Sequence, residues 1–143
     1  MKISTKGRYA LRMLLDLAMH QDSGYVPLKD ISKRQKISKK YLEQIVPIFN
    51  KNNFLQTNRG FQGGYRLTLS PDKYTVGDIL RLAEGSLSPV PCLESNCCSD
   101  IDNCLTYPVW KGLERVINEY LDSISLQDII DNQKDNFVNN YVI

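Results

Sequence analysis

The stretch that decides the fold lies at residues 38–66 and reads SKKYLEQIVPIFNKNNFLQTNRGFQGGYR. In its first half, apolar residues recur at helical spacing after Ser38, a residue type that caps helix N-termini. In its second half, two short alternating segments at 54–57 and 65–69 flank a tip with three glycines, which predicts a β-hairpin. A helix followed by such a hairpin is typical of a winged helix, an architecture that reads duplex DNA.

The residues before this stretch complete a helix-turn-helix. Apolar residues at helical spacing follow Ser4 and Thr5, either of which could cap a first helix that ends near residue 22. Pro27 opens a short second helix, and a turn of three residues joins it to the third helix. Within the third helix Pro47 must remove one backbone hydrogen bond, so we expect a kink or an early stop there.

The remaining chain is predicted to be mainly helical. Thr75 and Asp78 have the spacing of a capping box at the start of a helix that runs to Gly85. Pro108 starts a long helix, and residues 125–131 are expected to add one further turn. We therefore expect a mainly α fold with a small β-hairpin. Its parts are a winged helix-turn-helix DNA-binding domain at 1–85, a cysteine-bearing sensor loop at 86–106, a dimerisation helix region at 107–131 and a flexible tail at 132–143.

Charge is divided unequally along the chain. The 143 residues carry a net charge of +2, but residues 1–66 hold 13 Lys and Arg against 4 Asp and Glu, a net of +9. Residues 67–143 hold 5 against 12, a net of −7. A lobe with this positive charge attracts phosphate, so the first half is predicted to face double-stranded promoter DNA. The alternative is a solvated basic face with no partner.

Composition restricts the class of protein. A length of 143 residues with 42% hydrophobic content suits one core. No apolar run approaches a membrane span, and charged residues interrupt the first helix where a signal peptide would be apolar. We therefore expect a cytoplasmic protein that binds no membrane and whose thiols stay reduced.

The N-terminal part of the third helix holds the candidates for base recognition, because recognition helices contact bases mostly there. Lysine can donate to guanine, glutamine can bridge adenine, and glutamate can accept from the cytosine amino group. For Glu43, an ion pair with Lys39 or Lys40 along the helix is an equal alternative to base selection. The predicted DNA-binding residues of this helix are Ser38, Lys39, Lys40, Tyr41, Glu43 and Gln44.

The hairpin tip supplies a second candidate contact with DNA. Arg59 is a single guanidinium beside the flexible Gly60, an arrangement that suits insertion into a narrow, electronegative minor groove. The alternative is an exposed loop charge, but three glycines beside a basic residue favour the groove.

Several segments together resemble one known family. They are YLEQI at 41–45, RGFQGGYRL at 59–67, ILRLAEG at 79–85 and three cysteines separated twice by five residues. These segments are similar to those of the IscR-like bacterial winged-helix regulators, typified by the iron-sulfur cluster assembly regulator, over about residues 1–125. The resemblance implies a homodimeric DNA-binding repressor or dual regulator joined through the long helix. It also implies an iron-sulfur cluster on the cysteine loop, with 2Fe–2S favoured over 4Fe–4S, although one branch of the family lacks a cluster and represses cysteine metabolism genes.

The resemblance assigns the cluster ligands to Cys92, Cys98 and Cys104 and leaves Cys97 as an additional thiol. The family's assembly regulator has a histidine three residues after its last cysteine, where this chain has Tyr107, so the fourth ligand is open.

Other groups could complete the site. The candidates are Cys97, the carboxylates of Glu94, Asp100 and Asp102, a residue of the partner subunit, or an exogenous molecule, whereas His20 is expected to be a satisfied surface residue. The loop could instead act as a thiol or disulfide switch, or bind zinc, although adjacent cysteines do not suit a zinc knuckle.

The long helix carries apolar residues at helical spacing, and its predicted dimerisation residues are Trp110, Leu113, Ile117 and Tyr120. This stripe could cover the protein's own core. So short a chain offers no obvious second layer, however, so pairing with a second copy is the favoured interpretation. The two-fold symmetry of such a homodimer matches a pseudo-palindromic operator.

These patterns predict a homodimeric DNA-binding transcriptional regulator that acts as a repressor. Its cysteine loop is expected to sense the state of an iron-sulfur cluster or the redox state. An alternative is a cluster-free repressor of cysteine or sulfur metabolism, controlled by a thiol or a partner enzyme. From another class, a small iron-sulfur or thiol redox protein is the rival. The sequence has no nucleotide-binding glycine loop, no Ser-His-Asp set and no Cys-x-x-Cys pair, so we do not expect an enzyme.

Overall fold

The helices and strands follow the order expected for a winged helix through residue 85. The computed structural model describes residues 1–94 and 98–141, and only the backbone of 136–141. Its elements are α1 (Thr5–His20), α2 (Leu28–Gln35), α3 (Lys39–Lys51), β1 (Leu55–Asn58), β2 (Gly64–Leu67), α4 (Val76–Glu84), α5 (Tyr107–Asp122) and α6 (Leu126–Tyr141). The predicted fold class, mainly α with a small β-hairpin, is confirmed. None of the helices along these residues is both long and apolar enough to cross a bilayer.

The helices begin where the capping residues predict. The side chain of Ser4 accepts a hydrogen bond from the backbone N–H of Gly7, and Ser38 does the same for Tyr41, each at 3.1 Å. Thr75 caps α4 by accepting from the N–H of Asp78 at 3.0 Å. These short-range bonds satisfy N–H groups that have no partner inside a helix, which is why the cap pattern locates the helix starts.

Helix α1 forms the centre of the core and contacts α2, α3, α4, α6 and β2. Its residues Met13, Leu14 and Leu17 are buried. The same cluster takes in buried residues from every neighbouring element, including Ile31, Leu42, Ile45, Phe49, Leu67 and Ile79. The apolar face of α3 is thereby held against α1, and its polar face is left outside.

Pro47 does not stop α3 early, because the helix continues to Lys51. The missing hydrogen bond would have joined Pro47 to the carbonyl of Glu43, and both residues are exposed, so water can satisfy that carbonyl. Val46 and Phe49, on either side of Pro47, are buried and hold the two parts of the helix against the core.

The hairpin is attached to the segment before α2. Leu55 pairs with Leu67 and Asn58 with Gly64 in an antiparallel register. On its other edge β2 exchanges two backbone hydrogen bonds with Val26, of 2.8 and 2.9 Å through Tyr65. A Cβ at Gly64 would overlap the backbone of Val26, so only glycine permits this close approach.

The end of the chain differs from the expectation of a single turn followed by a loose tail at 132–143. The backbone is helical from Leu126 to Tyr141. Ser125 and Asp128 form a capping box, in which each backbone N–H donates to the other residue's side chain at 3.0 and 2.9 Å. Leu126 is fully buried and Ile130 nearly so, both in the cluster centred on α1, and this packing stabilises the helix.

Candidate nucleic-acid interface and cysteine loop

The N-terminal half of α3 presents four long polar side chains to solvent. Lys39, Lys40, Glu43 and Gln44 are exposed. Tyr41 is half-buried, with its ring 5.3 Å from that of Tyr9 in an edge-to-face arrangement. The polar groups that could contact base edges therefore extend from a helix whose opposite face is anchored in the core.

Glu43 has a partner along its own helix. The Lys39 ammonium lies 3.9 Å from the Glu43 carboxylate, one helical turn away. Both side chains are mainly exposed, so the pair adds little to stability. The intrahelical interpretation of Glu43 is thus observed in the DNA-free protein, and base selection by Glu43 stays a prediction.

A groove separates α3 from the hairpin. Its lining includes Lys39 and Glu43 from α3 and Arg59, Gly60 and Gly63 from the tip. Asn50 and Thr57 also line this groove, and the Thr57 hydroxyl donates to the side-chain amide oxygen of Asn50 at 3.2 Å. This bond and the packing of β1 on α3 place the two predicted DNA-contacting elements side by side.

An ion pair between the buried Asp16 carboxylate and the partly exposed Arg34 links α1 to α2. Asp16 is only 1% exposed, and its carboxylate accepts from the Arg34 guanidinium at 2.7 and 3.0 Å and from the Gln35 amide at 2.9 Å. The hydrogen bond with Asp16 raises the pKa of Arg34, so the guanidinium stays charged. His20, at the end of α1, bonds through its ring to the carbonyl oxygen of Asp16 at 2.8 Å, in line with the satisfied role expected of it.

The three described cysteines of the loop are all at least partly exposed to solvent. Cys92 and Cys98 are half-buried and Cys104 is exposed, and all three are free thiols. Cys97 lies outside the described residues. Among residues 1–94 and 98–141, no three His, Cys, Asp or Glu side chains are grouped closely enough to hold a metal ion. The three thiols have the chemistry of cluster ligands, but in this arrangement they do not converge on one site.

Two of the three candidate carboxylates on this loop, Glu94 and Asp100, form hydrogen bonds within it. Glu94 accepts from the Ser86 hydroxyl at 2.6 Å, and Asp100 accepts from the Asn103 amide at 2.8 Å. Tyr107 is the first residue of α5. No described contact assigns any of these residues as a fourth ligand.

Cys104 has a distinct environment at the start of α5. The Thr106 hydroxyl, 3.4 Å from the Cys104 sulfur, lowers the pKa of this thiol, and the backbone N–H groups of Thr106 and Tyr107 act in the same direction. A lower pKa favours the thiolate, which is the form that binds metal and reacts with oxidants.

Helix α5 has two apolar faces rather than the single predicted stripe. At 100° per residue, Val109, Leu113, Val116 and Tyr120 fall within about 60° of one another. They are 59, 42, 55 and 64% exposed. On the second face Leu121 packs against the cluster of buried Val76, Leu80 and Leu87, and Ile124, just after the end of α5, joins the same cluster.

The predicted dimerisation residues are therefore divided between the two faces. Leu113 and Tyr120 belong to the exposed stripe, whereas Trp110 and Ile117 are half-buried and lie by helical geometry on the side of Leu121. Val109 and Val116 also lie on the exposed stripe but were not among the predicted residues, although their spacing of four, three and four residues with Leu113 and Tyr120 is visible in the sequence. Dimerisation through this helix stays a prediction.

The comparison with protein families decides the class of this chain. Residues 3–132 match the Rrf2 family, described as iron-dependent transcriptional regulators. The chain belongs to the Rrf2 family. It is a DNA-binding transcriptional regulator of a kind that typically binds as a dimer, and it is not an enzyme.

Named relatives of this Rrf2-family chain cover most of its length. It is 41% identical to the HTH-type transcriptional regulator IscR of Aliivibrio salmonicida, over 93% of this chain and 80% of that protein. Among solved structures, T. potens IscR is 37% identical with a TM-score of 0.77, covering 95% of this chain and 90% of the other. CymR, the global cysteine regulator of B. subtilis, is 36% identical with a TM-score of 0.74, covering 92% and 98%. The IscR-like resemblance read from the motifs is confirmed.

Proposed function

We propose that this Rrf2-family chain is a homodimeric repressor that binds promoter DNA with α3 in the major groove and the hairpin tip in the adjacent minor groove. The observation that carries this proposal is the shared groove of α3 and the tip, with Lys39 on one side and Arg59 on the other. Both elements lie in the half of the chain with a net charge of +9, which attracts the phosphate backbone.

On α3, Ser38 and Tyr41 set the helix start. Lys40 and Gln44 are exposed and can reach base edges, and Lys39 can do so when its weak pair with Glu43 opens. Glu43 can exchange Lys39 for a cytosine amino group, because its ion pair is solvent-exposed and therefore weak.

At the tip, Arg59 is exposed beside Gly60, whose φ of 97° is unfavourable for other residues. Arg59 directly follows β1 and lines the groove that faces α3. Its charge suits a narrow minor groove, where the negative potential of DNA is enhanced.

The proposed dimer surface is the stripe of Val109, Leu113, Val116 and Tyr120. No residue of α5 is buried in the single chain. An exposed apolar stripe of four residues at coiled-coil spacing suits pairing with the same helix of a second copy. The two DNA-binding lobes would then be related by a two-fold axis and contact two half-sites.

The proposed signal is an iron-sulfur cluster held by Cys92, Cys98 and Cys104, with 2Fe–2S favoured. When bound, such a cluster supplies redox and oxygen sensitivity through its thiolate-ligated iron. The support is the set of three thiols on one loop and the relatives named IscR. Since the described thiols do not converge, this proposal requires the loop to rearrange around the cluster.

Contacts at the base of the loop can pass such a rearrangement to the DNA-binding lobe. Ser88 donates to Glu114 of α5 at 3.1 Å, and Arg81 of α4 donates to Asn118 of α5 at 2.9 Å. At the C-terminal end of α4, next to the loop, Glu84 accepts from the backbone and side chain of Ser4, the cap of α1. A change in the loop thus reaches α1 and the helices packed on it.

The test begins with protein that is expressed in the bacterial cytoplasm and then purified without oxygen. We expect the purified protein to be coloured and to contain iron and sulfide. We also expect it to shift, in gel electrophoresis, a DNA duplex that the protein has selected from a random pool. Cys92→Ala, Cys98→Ala and Cys104→Ala are each expected to bleach it, whereas Cys97→Ala keeps the colour. A colourless, iron-free protein that still binds DNA would contradict the proposed cluster sensing but not the proposed DNA binding.

That last result would favour the cluster-free repressor of sulfur metabolism. The similarity to CymR, whose whole chain is nearly covered, supports this second candidate. Its signal would be a thiol or a partner enzyme, and DNA binding would respond to oxidants in the iron-free protein.

A further inference from the structure

The hairpin tip carries an aromatic side chain that does not pack in the hydrophobic core. Phe61 is 96% exposed. The backbone N–H of Gly63 donates to the carbonyl oxygen of Gly60 at 2.9 Å, so Phe61 and Gln62 are the central residues of a tight turn. Phe61 therefore stands at the outermost point of the hairpin, two residues from Arg59.

The turn holds Phe61 outward. A Cβ at Gly63 would lie 2.5 Å from the carbonyl oxygen of Asn58 and 2.8 Å from that of Gly60, so the chain behind the turn is folded closely onto itself. Gly60 and Gln62 both have positive φ, at 97° and 65°. This compact backbone leaves no pocket into which the phenyl ring could fold back.

We propose that Phe61 enters the minor groove beside Arg59 and acts as an apolar wedge at a deformable base step. This inference rests on the proposed placement of the hairpin in the minor groove. The groove walls are deoxyribose rings, and phenylalanine is among the side chains that minor-groove proteins insert between base steps. Pyrimidine–purine steps such as TA open most readily, so Phe61 confers a preference for such a step where the tip contacts DNA.

Charge favours DNA over a second protein as the partner of Phe61. Arg59 directly precedes the turn, two residues from Phe61, and Lys39 and Arg59 line the same groove. A phenyl ring among cations meets complementary chemistry in a polyanion with apolar sugar walls. An apolar protein surface would instead have to desolvate these charges.

The experiment compares two duplexes in the site that the unmodified protein selects from a random pool. They differ only at the step facing the tip, which is TA in one and AA in the other. Binding by Phe61→Ala, Phe61→Leu and Arg59→Ala is measured by fluorescence anisotropy across a salt series. Leu69→Ala is the matched control, because Leu69 is another exposed apolar residue but lies beyond β2.

We expect Phe61→Ala to bind the TA duplex about tenfold more weakly, equivalent to about 1.4 kcal/mol. Its salt dependence stays unchanged because no charge is removed, and its preference for TA over AA disappears. Phe61→Leu keeps part of both, and Leu69→Ala binds within twofold of the unmodified protein.

Affinity of Phe61→Ala within twofold on both duplexes would overturn the proposal, as would an equal loss on TA and AA. If Arg59→Ala also leaves affinity and salt dependence unchanged, the placement of the hairpin in the minor groove is wrong as well. A normal Arg59 effect with no Phe61 effect removes the wedge alone.

Discussion

Replacing Asp16 with asparagine tests how the helix-turn-helix is held in position. The carboxylate is buried and accepts three hydrogen bonds, two from Arg34 and one from Gln35. Asparagine has nearly the same size but no charge, and its amide turns a donor toward one of these donors. The substitution therefore removes the ion pair without leaving a cavity.

The cost follows from burial. Breaking a fully buried ion pair costs about 3–5 kcal/mol, but the Arg34 side chain is 35% exposed and can regain water. We therefore expect the free energy of unfolding to fall by about 2–3 kcal/mol, which lowers Tm by about 5–10 °C for a chain of this length. Because α2 and α3 form the helix-turn-helix, operator affinity should fall in parallel.

The measurement is thermal unfolding followed by circular dichroism, at one fixed protomer concentration because dimerisation contributes to Tm. Asp22→Asn is the control, since it removes the same charge from an exposed position near the end of the same helix. A change in Tm below about 2 °C for Asp16→Asn, or an equal change in the control, would show that the pair does not fix α2 on α1.

Three further predictions concern the other surfaces. Leu113→Glu combined with Val116→Glu should give a folded monomer in sedimentation, with operator binding lost, because both side chains lie on the exposed stripe; a dimer that persists would place the interface elsewhere. Lys40→Ala should weaken operator binding and relax base preference in the major groove, whereas Arg59→Ala should lose about 1–3 kcal/mol mainly on sites with an A/T-rich minor groove, and each should reduce the slope of log affinity against log salt because each removes a cation. Gly64→Ala should lower Tm and operator affinity together, because its methyl group overlaps the backbone of Val26 and separates the hairpin from that segment; unchanged values would mean that the hairpin shifts freely.

The predicted DNA-binding surface depended on local signals. The structure brings α3 and the hairpin tip to one groove, and the DNA contacts of their residues stay predictions. Ser38 and Thr75 cap their helices through bonds that span three residues, so the sequence pattern contains both partners. The hairpin was visible from alternation and glycines. What local signals could not supply was the bond between Asn50 and Thr57, because two exposed polar residues seven positions apart have no distinguishing pattern.

The apolar faces of α5 show the limit of periodicity. Trp110, Leu113 and Ile117 all satisfy helical spacing within a broad stripe, but periodicity does not say which neighbour covers each side. Helix α5 packs on α4, so Leu121, and Ile124 just after the helix, meet Val76 and Leu80. The packing of α5 on α4 leaves Val109 and Val116 on a separate face that is exposed to solvent.

The sequence by itself determined the helix starts, the hairpin, the division of charge and the thiols on one loop, because each depends on residue types within a few positions of one another. Tertiary structure alone decided that Asp16 pairs with Arg34, that Leu126 completes the core around α1, and that the described thiols stand apart. These outcomes depend on contacts between residues distant in sequence, whose free energies are settled by burial and by competition among all possible partners.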